Sequence, residues 1–438
     1  MKKSRYNSLH TVRGQEVLYN AFSEKMCVMD PEVARIYTAG DPDAIKEVHP
    51  SFHSYLCEQG FLVDDALDEA AALIDTWRRH DTDPSRFSLA VNPTLNCNFS
   101  CWYCYENHSG NLNMSDAVFE RLARFIVRKL SEPELKQFHL GFFGGEPLLN
   151  FDRVGRRLIE LARGESAARN VDFSVSFVTN GYLVSDPILE FLDSLGCPVT
   201  FQITLDGNET NHNNVRKTRA GEGSYGRILD NCAKILRHES MFLVLRCNFT
   251  EASLPTFLDV AADVKARFLT DGAAPANLSV DFHRVWQDKD DSRAVESREQ
   301  DVKSAFSGSG FKVSANKRFN RYRCYADGIN NALVNYDGNV FRCTARDFTA
   351  DRAEGVLTDG GEIEWNEKSA QRDAIKWANR TCADCNIYPI CCGNCSQSKL
   401  ESGIDSGCYQ GYSAEDKEAV VRGRVEWLIA ESAKEAKK

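Results

Sequence analysis

The strongest constraint on the fold is an alternation of strand-like and helical patterns between Phe87 and Trp286. Short apolar runs predict the strands, and longer amphipathic segments predict the helices between them. The predicted strands are Phe87–Asn92, Phe138–Phe143, Val171–Thr179, Val199–Leu205, Phe242–Phe249 and Leu278–Trp286. The predicted helices are Asp116–Leu130, Phe151–Arg163, Asp186–Ser194, Tyr225–Arg237 and Leu254–Phe268. Strands that alternate with helices form a parallel sheet with crossover helices. Six such units predict an α/β fold, an open, partial (β/α)6 TIM-like barrel rather than a closed barrel of eight.

Three cysteines follow the first predicted strand directly. Cys97, Cys101 and Cys104 stand at the spacing Cys-x3-Cys-x2-Cys, and we expect no fourth cysteine or histidine ligand nearby. Four thiolates complete the ligation of a 4Fe–4S cluster, whereas three leave one iron with an open coordination position. An open position on a metal is a place for chemistry, as it is in catalytic zinc sites. The alternative is three cysteines that crowd a loop without binding metal.

The overall cysteine content supports metal binding. The chain has 16 cysteines in 438 residues, which indicates either a disulfide framework in an exported protein or metal sites. The basic start Met1-Lys2-Lys3 leads into no apolar run, so we predict no secretory signal, no membrane association and a cytoplasmic protein. A net charge of −10 argues against a nucleic-acid partner.

Polar and glycine residues follow the next three strands, and ligands gather at the carboxyl ends of parallel strands. Gly144-Gly145-Glu146-Pro147 follows the second strand. Its glycines allow close approach of the backbone to a ligand, and its carboxylate can pair with an ammonium group. The third strand ends at Asn180, and the fourth ends at Thr204 and Asp206. These side chains suit ribose hydroxyls or a carboxylate, although Asn-Gly and Asp-Gly are also common turn dipeptides.

The cysteine loop and the Gly-Gly-Glu-Pro segment on the following strand together resemble the radical S-adenosylmethionine (SAM) superfamily. The resemblance implies a 4Fe–4S cluster on Cys97, Cys101 and Cys104 whose open iron is chelated by the amino acid end of SAM. It also implies that the reduced cluster passes one electron to SAM. SAM then splits into methionine and a 5′-deoxyadenosyl radical, which abstracts hydrogen from an unactivated carbon.

The same resemblance suggests residues that contact SAM. Tyr103, between two cluster ligands, would cover the cluster and stack on adenine. Arg216 ends a His-x3-Arg segment common in the peptide-modifying branch, and its guanidinium fork suits the SAM carboxylate. The expected SAM-binding set is Tyr103, Gly144, Gly145, Glu146, Asn180, Thr204, Asp206 and Arg216. Arg246 and Asn248, near the end of the fifth strand, either contact SAM or line the barrel.

Eight further cysteines lie in the last third of the chain, around a core of spacing Cys-x2-Cys-x5-Cys-x3-Cys. Taken alone, this core could be a zinc module. Behind the cysteine loop it resembles a SPASM domain with two auxiliary 4Fe–4S clusters, which brings the expected cofactors to three clusters and SAM. By that resemblance Cys324, Cys343 and Cys395 hold auxiliary cluster I, and Cys382, Cys385, Cys391 and Cys408 hold auxiliary cluster II. The fourth ligand of cluster I is not assigned. It is either Cys392 or a group of the substrate, or the fourth iron has no protein ligand.

Three domains are expected: 1–86, 87–300 for the barrel and 301–438 for the SPASM domain. The first contains three short strand patterns followed by helical patterns, including one helix from Ala44 to Glu58. This order resembles, in topology alone, the winged-helix-like leader-recognition element of peptide-modifying enzymes. A structural cap on the barrel is the alternative. The charged segment Asp288–Asp301 predicts a linker or a mobile segment.

These resemblances favour an enzyme that matures a ribosomally made precursor peptide by forming a thioether or carbon–carbon cross-link. Its partners would be the precursor with its leader sequence and an electron donor, either a reductase or a flavodoxin or ferredoxin. The alternative is an anaerobic sulfatase-maturing enzyme, which makes formylglycine. In that family an Asp that acts as the general base follows the hairpin cysteine. This chain has Thr344 at that position. A zinc-stabilised binding module and a plain electron-transfer protein are the alternatives outside this class. The general base stays open; Asp281, His283 and Tyr325 are candidate pocket residues.

Overall fold

The computed structural model describes residues 1–40, 42–108, 110, 112–269, 272–288, 292–314, 324–403 and 407–435. The chain forms two compact units, each discontinuous in sequence. The first unit comprises Met1–Thr82, Ala315–Gly328 and Ala370–Lys438, and the second comprises Asp83–Ser314 and Ile329–Ser369. The first unit therefore groups the N-terminal segment with the last cysteine-rich residues, and the division into three domains stays a prediction.

The N-terminal part of the first unit consists of two small antiparallel sheets and four helices. One sheet pairs β1 (Lys2–Lys3) with β5 (Leu62–Val63), and the other contains β2 (Asn7–Val12), β3 (Gln15–Asn20) and β4 (Lys25–Met29). Its helices are α1 (Pro31–Ala39), α2 (Pro42–Val48), α3 (Pro50–Glu58) and α4 (Glu69–Asp81). The single predicted helix Ala44–Glu58 is wrong, because Pro50 disfavours a helical conformation at His49 and starts a new helix.

The second unit is built on one sheet of 11 strands. Its strands are β6 (Arg86–Val91), β7 (Gln137–Phe142), β8 (Asp172–Thr179), β9 (Val199–Leu205), β10 (Met241–Phe249), β11 (Leu278–Arg284), β12 (Lys312–Val313), β13 (Asn331–Val334), β14 (Asn339–Phe341), β15 (Gly355–Leu357) and β16 (Ile363–Trp365). The sheet order is β12-β11-β10-β9-β8-β7-β6-β13-β14-β15-β16. Strands β6 to β11 are consecutive and parallel, which confirms the six predicted strands and the open α/β architecture.

Helices connect these parallel strands, five of them near the predicted positions and one short helix after β9 that was not predicted. They are α5 (Asp116–Leu130), α6 (Arg156–Arg169), α7 (Asp186–Ser194), α8 (Glu209–Val215), α9 (Tyr225–Ile235) and α10 (Phe257–Phe268). A 3-10 turn at Pro147–Asn150 and a π-helical turn at Phe151–Gly155 precede α6, and a 3-10 turn at Leu254–Thr256 precedes α10. The largest apolar cluster of the protein lies between this sheet and its helices.

The predicted linker Asp288–Asp301 is wrong from Ser292 onward, because α11 (Ser292–Gly308) occupies those residues, and residues 289–291 lie outside the described ones. The apolar residues of this helix are few, but Val295, Val302 and Phe306 are buried in the main cluster. Their spacing places them on one helical face, so a charged segment still anchors itself in the core. Helix α12 (Glu367–Ile375) follows the β13–β16 strands.

The C-terminal part of the first unit consists of short helices and one long helix. They are α13 (Arg380–Ala383), α14 (Tyr388–Cys391), α15 (Ser396–Ser402) and α16 (Ala414–Glu435). The sheet β2–β3–β4 has an apolar cluster on each face, because side chains alternate along a strand. Leu18 packs with α1 and α3 on one face, whereas Val17 and Tyr19 pack with Trp77, Tyr388 and α16 on the other. No helix in the described part of the chain is long and apolar enough to cross a membrane.

Candidate active site

The loop that carries the first three cysteines starts against the Gly-Gly-Glu segment after β7. The N–H of Glu146 donates a 2.8 Å hydrogen bond to the carbonyl of Asn96. Gly145 has a φ of +45°, and a Cβ there would overlap the carbonyl oxygen of Asn96. At Gly144, with a φ of +76°, a Cβ would lie 2.6 Å from Cγ of Asn92. These glycines therefore permit a close backbone approach, and the group they approach is the start of the cysteine loop.

Glu146 joins the ends of two neighbouring strands. Its carboxylate is fully buried and accepts hydrogen bonds from the Thr179 hydroxyl at 2.7 Å and from the Asn180 N–H at 2.8 Å. It also accepts the N–H of Leu148 at 3.0 Å. Burial raises the pKa of this carboxyl, and the three donors oppose that rise. The predicted pairing with the SAM ammonium group stays a prediction; the structure shows Glu146 holding β7 and β8 together.

The other side of the loop pairs with the segment after α8. Phe99 and Thr218 form an antiparallel bridge, and the N–H of Arg219 donates to the carbonyl of Asn98 at 3.0 Å. Asn180, at the end of β8, adds a side-chain hydrogen bond of 2.7 Å to Oδ1 of Asn98. The loop is thus held by backbone contacts on two sides before any ligand is bound.

The three thiols of the loop lie in surroundings that suit a cluster. Burial raises the pKa of Cys97 to about 12 and that of Cys104 to about 11, and it raises the pKa of Cys101 as well. Without metal these groups are therefore neutral thiols, and metal binding would release their protons. The N–H of Phe99 lies 3.4 Å from Sγ of Cys97. Such N–H donors to sulfur tune iron–sulfur clusters, so the donor set fits a 4Fe–4S cluster.

A chain of hydrogen bonds runs from the loop across three strands. The Tyr103 hydroxyl donates to Asp206, and Nη2 of Arg216 donates to the Tyr103 oxygen at 2.8 Å. Nε of Arg216 forms an ion pair with the same Asp206. On the other side, Asn248 contacts the Tyr103 oxygen at 3.3 Å.

This chain continues into the barrel interior through a second ion pair. Oδ1 of Asn248 accepts from Nε of Arg246 at 3.3 Å. Nη1 of Arg246 lies 2.6 Å from Oδ2 of Asp281, its register partner on β11. Arg246 and Asn248 therefore belong to the polar network at this end of the barrel, and whether they also contact SAM stays a prediction.

His212 organises the turn that carries Arg216. Its Nδ1 accepts the N–H of Asp206 at 3.3 Å, and its Nε2 lies 3.0 Å from Oγ of Ser224. Burial lowers the pKa of His212 well below its ordinary value, so the ring is neutral. The His-x3-Arg segment thus works as one structural unit: the histidine fixes the turn, and the arginine is buried beside Asp206. Whether Arg216 also binds the SAM carboxylate stays a prediction.

A pocket of about 130 Å³ lies beside this network, at the carboxyl ends of β9 and β10. Its lining includes Trp102, Tyr103, Asp206, Asn248, Ser253 and Val285. Thr204 and His283 lie on strands that flank β10, and Thr204 is buried. The structure therefore brings Tyr103 and Asp206, from the predicted SAM set, to one cavity at the expected end of the sheet. Tyr325, the third candidate pocket residue, belongs to the first unit.

Two side chains of the loop, His108 and Glu106, lie near the three cysteines but were not predicted as site residues. Nε2 of His108 lies 3.3 Å from Sγ of Cys104, and its Nδ1 contacts the carbonyl of Leu95 at 2.5 Å. The expectation that no histidine lies near the three cysteines is therefore wrong, since His108 follows four residues after Cys104. Glu106 accepts the N–H of Gly145, and burial raises the pKa of its carboxyl to about 7. The sequence did contain a signal for His108, since a histidine four residues after Cys104 can lie close to its thiol.

In the first unit, the cysteines expected to hold auxiliary cluster II are neighbours. Burial raises the pKa of Cys382 to about 11, the ammonium group of Lys399 opposes the rise, and Cys391, Cys385 and Cys408 add to it. Lys399 is itself buried, and its Nζ donates to the carbonyl of Lys376 at 3.2 Å. A buried cation beside the Cys382 thiol would compensate part of the charge of an anionic cluster held there.

The cysteines expected for auxiliary cluster I are distributed over both units. Cys324 and Cys395 belong to the first unit, and Cys343 belongs to the second. Cys392 is in the left-handed conformation with a φ of +53°, and its Sγ lies 3.8 Å from the carbonyl of Pro389. In the described ranges, no three His, Cys, Asp or Glu side chains converge on one metal ion. Thiolates on a cluster bind different irons, so they need not converge on one point.

The cysteine loop follows the first strand of an open parallel barrel, and the polar network lies at the same end. This arrangement is typical of a partial-barrel α/β enzyme. Residues 91–261 match the family model of the Radical SAM superfamily. The matched residues form a radical SAM domain. Such a domain implies a 4Fe–4S cluster and SAM as cofactors.

Relatives and solved structures agree with this assignment. The chain is 22% identical over 372 residues to the radical SAM cyclopropyl synthase TigE of Paramaledivibacter caminithermalis, covering 77% of this chain and 74% of TigE. It is 25% identical over 163 residues to a cysteine-type anaerobic sulfatase-maturating enzyme of Clostridium novyi, covering 36% of this chain and 42% of that enzyme.

Two solved structures share the fold. Native anSMEcpe with bound AdoMet aligns with a TM-score of 0.58 and 18% identity. The alignment covers 78% of this chain and 98% of the anSMEcpe chain. Streptococcus suis SuiB bound to the precursor peptide SuiA aligns with a TM-score of 0.52 and 12% identity, covering 93% of this chain and 98% of its own. The partial barrel predicted from the sequence is thereby confirmed.

Proposed function

We propose that this enzyme modifies a ribosomally made precursor peptide by forming a thioether or carbon–carbon cross-link in it. The observation that carries the proposal is the match to TigE, a cyclopropyl synthase, which extends over 77% of this chain rather than over the barrel alone. Closing a cyclopropyl ring forms a carbon–carbon bond, so this relative favours the carbon–carbon product. The fold shared with peptide-bound SuiB, over 93% of the chain, agrees with a peptide substrate.

The chain's own residues would bind and orient the cofactors. Cys97, Cys101 and Cys104 would ligate the catalytic cluster, and Tyr103 would face SAM at the pocket beside Asp206. When bound, the cluster and SAM supply a 5′-deoxyadenosyl radical that abstracts hydrogen from an unactivated carbon. A reactive radical must be kept from water and from the protein, so close positioning of the target carbon is essential.

A cross-link removes two hydrogen atoms from the peptide, one as an atom and one as a proton and an electron. Auxiliary clusters in the cysteine-rich residues would accept that electron, and a reductase or a flavodoxin or ferredoxin would reduce the catalytic cluster. We infer three 4Fe–4S clusters, about twelve irons per chain. Cys391→Ala should remove about four irons, whereas Cys392→Ala should leave the iron content and the cluster spectrum unchanged if Cys392 is not a ligand. Zinc without iron would contradict this inference.

The decisive experiment is a search for a small open reading frame beside the gene, co-expression of its peptide with the enzyme, and mass spectrometry of that peptide. A cross-link lowers the peptide mass by two hydrogen atoms and leaves no free carbonyl. Fragmentation then locates the bond, because cross-linked residues do not separate into individual fragments. An unchanged peptide mass, with active SAM cleavage in the same sample, would contradict the proposed substrate.

Formylglycine formation is the second candidate, supported by the Clostridium novyi relative and by the anSMEcpe fold. Oxidation of Ser to formylglycine also removes two hydrogen atoms, so mass alone does not separate it from a cross-link. An aldehyde reacts with a hydrazide, and a cross-link does not. After Cys343 the first carboxylate is Asp347 rather than the next residue, and its Oδ1 lies 3.4 Å from the N–H of Asn107.

A further inference from the structure

Within the first unit, the start of the chain contacts the turn that carries two predicted ligands of auxiliary cluster II. Nη1 of Arg5 donates a 2.8 Å hydrogen bond to the carbonyl of Ala383. The same nitrogen lies 3.5 Å from Oδ1 of Asp384, with which it forms an ion pair. Ala383 and Asp384 are the two residues between Cys382 and Cys385. The side chain of Arg5 therefore holds the Cys-x2-Cys turn from outside.

The backbone on either side of Arg5 is also fixed. Its N–H donates a 2.9 Å hydrogen bond to Oε2 of Glu69, a buried carboxylate whose other oxygen accepts the Ser4 hydroxyl. The carbonyl of Tyr6 accepts the N–H of Ala21 at 2.9 Å. These hydrogen bonds determine where the side chain of Tyr6 enters the interior of the unit.

The hydroxyl of Tyr6 has no hydrogen-bond partner within the described residues, although its oxygen is buried. The side chain is 1% exposed, and its ring meets Phe22 edge-on at 5.9 Å. The apolar cluster that contains Tyr6 also contacts Cys382, Cys385 and Cys391. Native proteins rarely leave a buried polar group unsatisfied, so this hydroxyl requires an explanation.

The surroundings of the hydroxyl indicate which partner it would take. Burial raises the pKa of Tyr6 to about 12, the Arg5 cation opposes the rise, and the nearby Cys385 thiol is among the groups that add to it. The phenol is therefore protonated at neutral pH and able to donate a hydrogen bond. A thiol is a weak acceptor, but metal binding converts it to a thiolate. A buried, protonated donor beside a predicted ligand thus fits an iron–sulfur cluster.

We propose that the Tyr6 hydroxyl donates a hydrogen bond to the Cys385 thiolate of auxiliary cluster II and thereby raises the reduction potential of that cluster. The inference rests on the proposed function, which assigns a 4Fe–4S cluster to these cysteines. The reduced cluster carries one more negative charge, so a donor to its sulfur stabilises the reduced form more than the oxidised form. A raised potential favours the direction proposed above, in which an auxiliary cluster accepts an electron from the substrate. The N-terminal segment would then tune a cluster whose ligands lie at the other end of the sequence.

The test is a redox titration of the full-length, cluster-loaded enzyme, followed by electron paramagnetic resonance in the absence of SAM and peptide. Cys391→Ala identifies the signal of auxiliary cluster II, because that signal should be missing from its spectrum. Tyr6→Phe keeps the ring and should keep all the iron. At a fixed potential, its ratio of reduced to oxidised cluster II should fall about tenfold, a shift of the midpoint by about 59 mV to lower potential for a one-electron couple.

Tyr37→Phe is the matched control. Tyr37 is a second buried tyrosine of the same unit, but it belongs to the apolar cluster on the other face of the β2–β3–β4 sheet. Its hydroxyl already accepts a 2.7 Å hydrogen bond from the amide of Asn7. Loss of this hydroxyl should leave the midpoint potentials of all the clusters at their wild-type values.

Three results would overturn the role of Tyr6: wild-type potentials in Tyr6→Phe, a shift to higher potential, or an equal shift in Tyr37→Phe. If Cys391→Ala loses a cluster but Tyr6→Phe titrates like wild type, this inference fails and the proposed clusters stand. If Cys391→Ala keeps all its iron, the proposed cluster count fails and the inference fails with it. The titration involves no turnover, so an unmodified peptide in the co-expression experiment would contradict the proposed substrate without changing the result for Tyr6.

Discussion

The hydroxyl of Tyr103 donates a 2.7 Å hydrogen bond to Oδ1 of Asp206, and this bond ties the cysteine loop to the end of β9. The other oxygen of Asp206 is paired with Arg216, and the two side chains are only 4% and 10% exposed. A residue between two predicted cluster ligands is therefore held by a buried ion pair. The position of the loop depends on that pair.

Asp206→Asn should strongly destabilise the protein, because it leaves the buried Arg216 charge without its counter-ion. Breaking one partner of a buried pair typically costs about 3–5 kcal/mol. Urea unfolding under anaerobic conditions measures this loss. Asp230→Asn is the control: its pair with Arg267 is 66% and 41% exposed, and such pairs contribute about 0–1 kcal/mol. Equal effects of the two variants would contradict the role of the buried pair.

Gly145→Ala should prevent normal closure of the cysteine loop. The added Cβ would overlap the Asn96 carbonyl, and the φ of +45° is unfavourable for alanine. We expect reconstituted iron to fall by about four atoms, one cluster, with the loss read from iron analysis and the cluster spectrum. Gly164→Ala is matched to it, because Gly164 lies in α6 with nothing within 4 Å of an added Cβ. That variant should gain up to about 1 kcal/mol of stability and keep its iron.

His139 should contribute a pH dependence to the stability of the second unit. Its two ring nitrogens lie 2.8 Å from the hydroxyls of Ser174 and Ser176, and burial lowers its pKa in the folded state. The unfolded chain therefore binds the proton more readily than the folded one. By linkage, the free energy of unfolding falls as the pH drops below about 6.5, the ordinary histidine pKa.

His139→Gln should flatten that fall, because the amide can still bond a serine and does not titrate. The measurement is urea unfolding at several pH values between 5 and 8, with wild type and variant compared. His238→Gln serves as a control, since His238 lies outside the core and forms an ion pair with Asp193. Parallel curves for wild type and His139→Gln would show that the imidazole does not titrate between the folded and unfolded states.

The regular part of the fold could be predicted because its signals are local. Helices α5 and α7 and strand β9 have the predicted bounds, since each combines a clear apolar period with a recognisable start or end. Helix α11 could not be found this way, because its buried face has only a few apolar residues among many charges. The three loop cysteines and the Gly-Gly-Glu segment were placed correctly at adjacent strand ends for the same local reason.

Relationships between distant residues could not be predicted. The partners of Glu146 are supplied by the next strand, and the partner of Arg216 is set by a turn that His212 holds. Sequence patterns identify such residues as polar but do not say which of them neutralise one another. For the same reason, nothing in the N-terminal pattern indicated that it forms one compact unit with residues 370–438.

Within that first unit, Trp77 of α4 connects the N-terminal segment to the turn that carries a predicted cluster ligand. Its ring stacks on Trp377 with centroids 6.0 Å apart and meets Tyr388 edge-on at 4.9 Å. Tyr388 starts α14, the short helix that ends at Cys391. Trp77→Ala should therefore cost about 3–5 kcal/mol and loosen the backbone around Cys391.

The loosening should appear as faster release of about four irons to a chelator in solution, with SAM cleavage by the barrel retained. Phe242→Ala, at an exposed position of β10, is the control and should leave iron release unchanged. Identical release from Trp77→Ala and wild type would mean that the ligand turn is rigid without its aromatic support. Faster loss of all the iron would instead show that Trp77→Ala destabilises the whole protein. A change confined to the turn at Cys391 would leave the iron of the catalytic cluster in place.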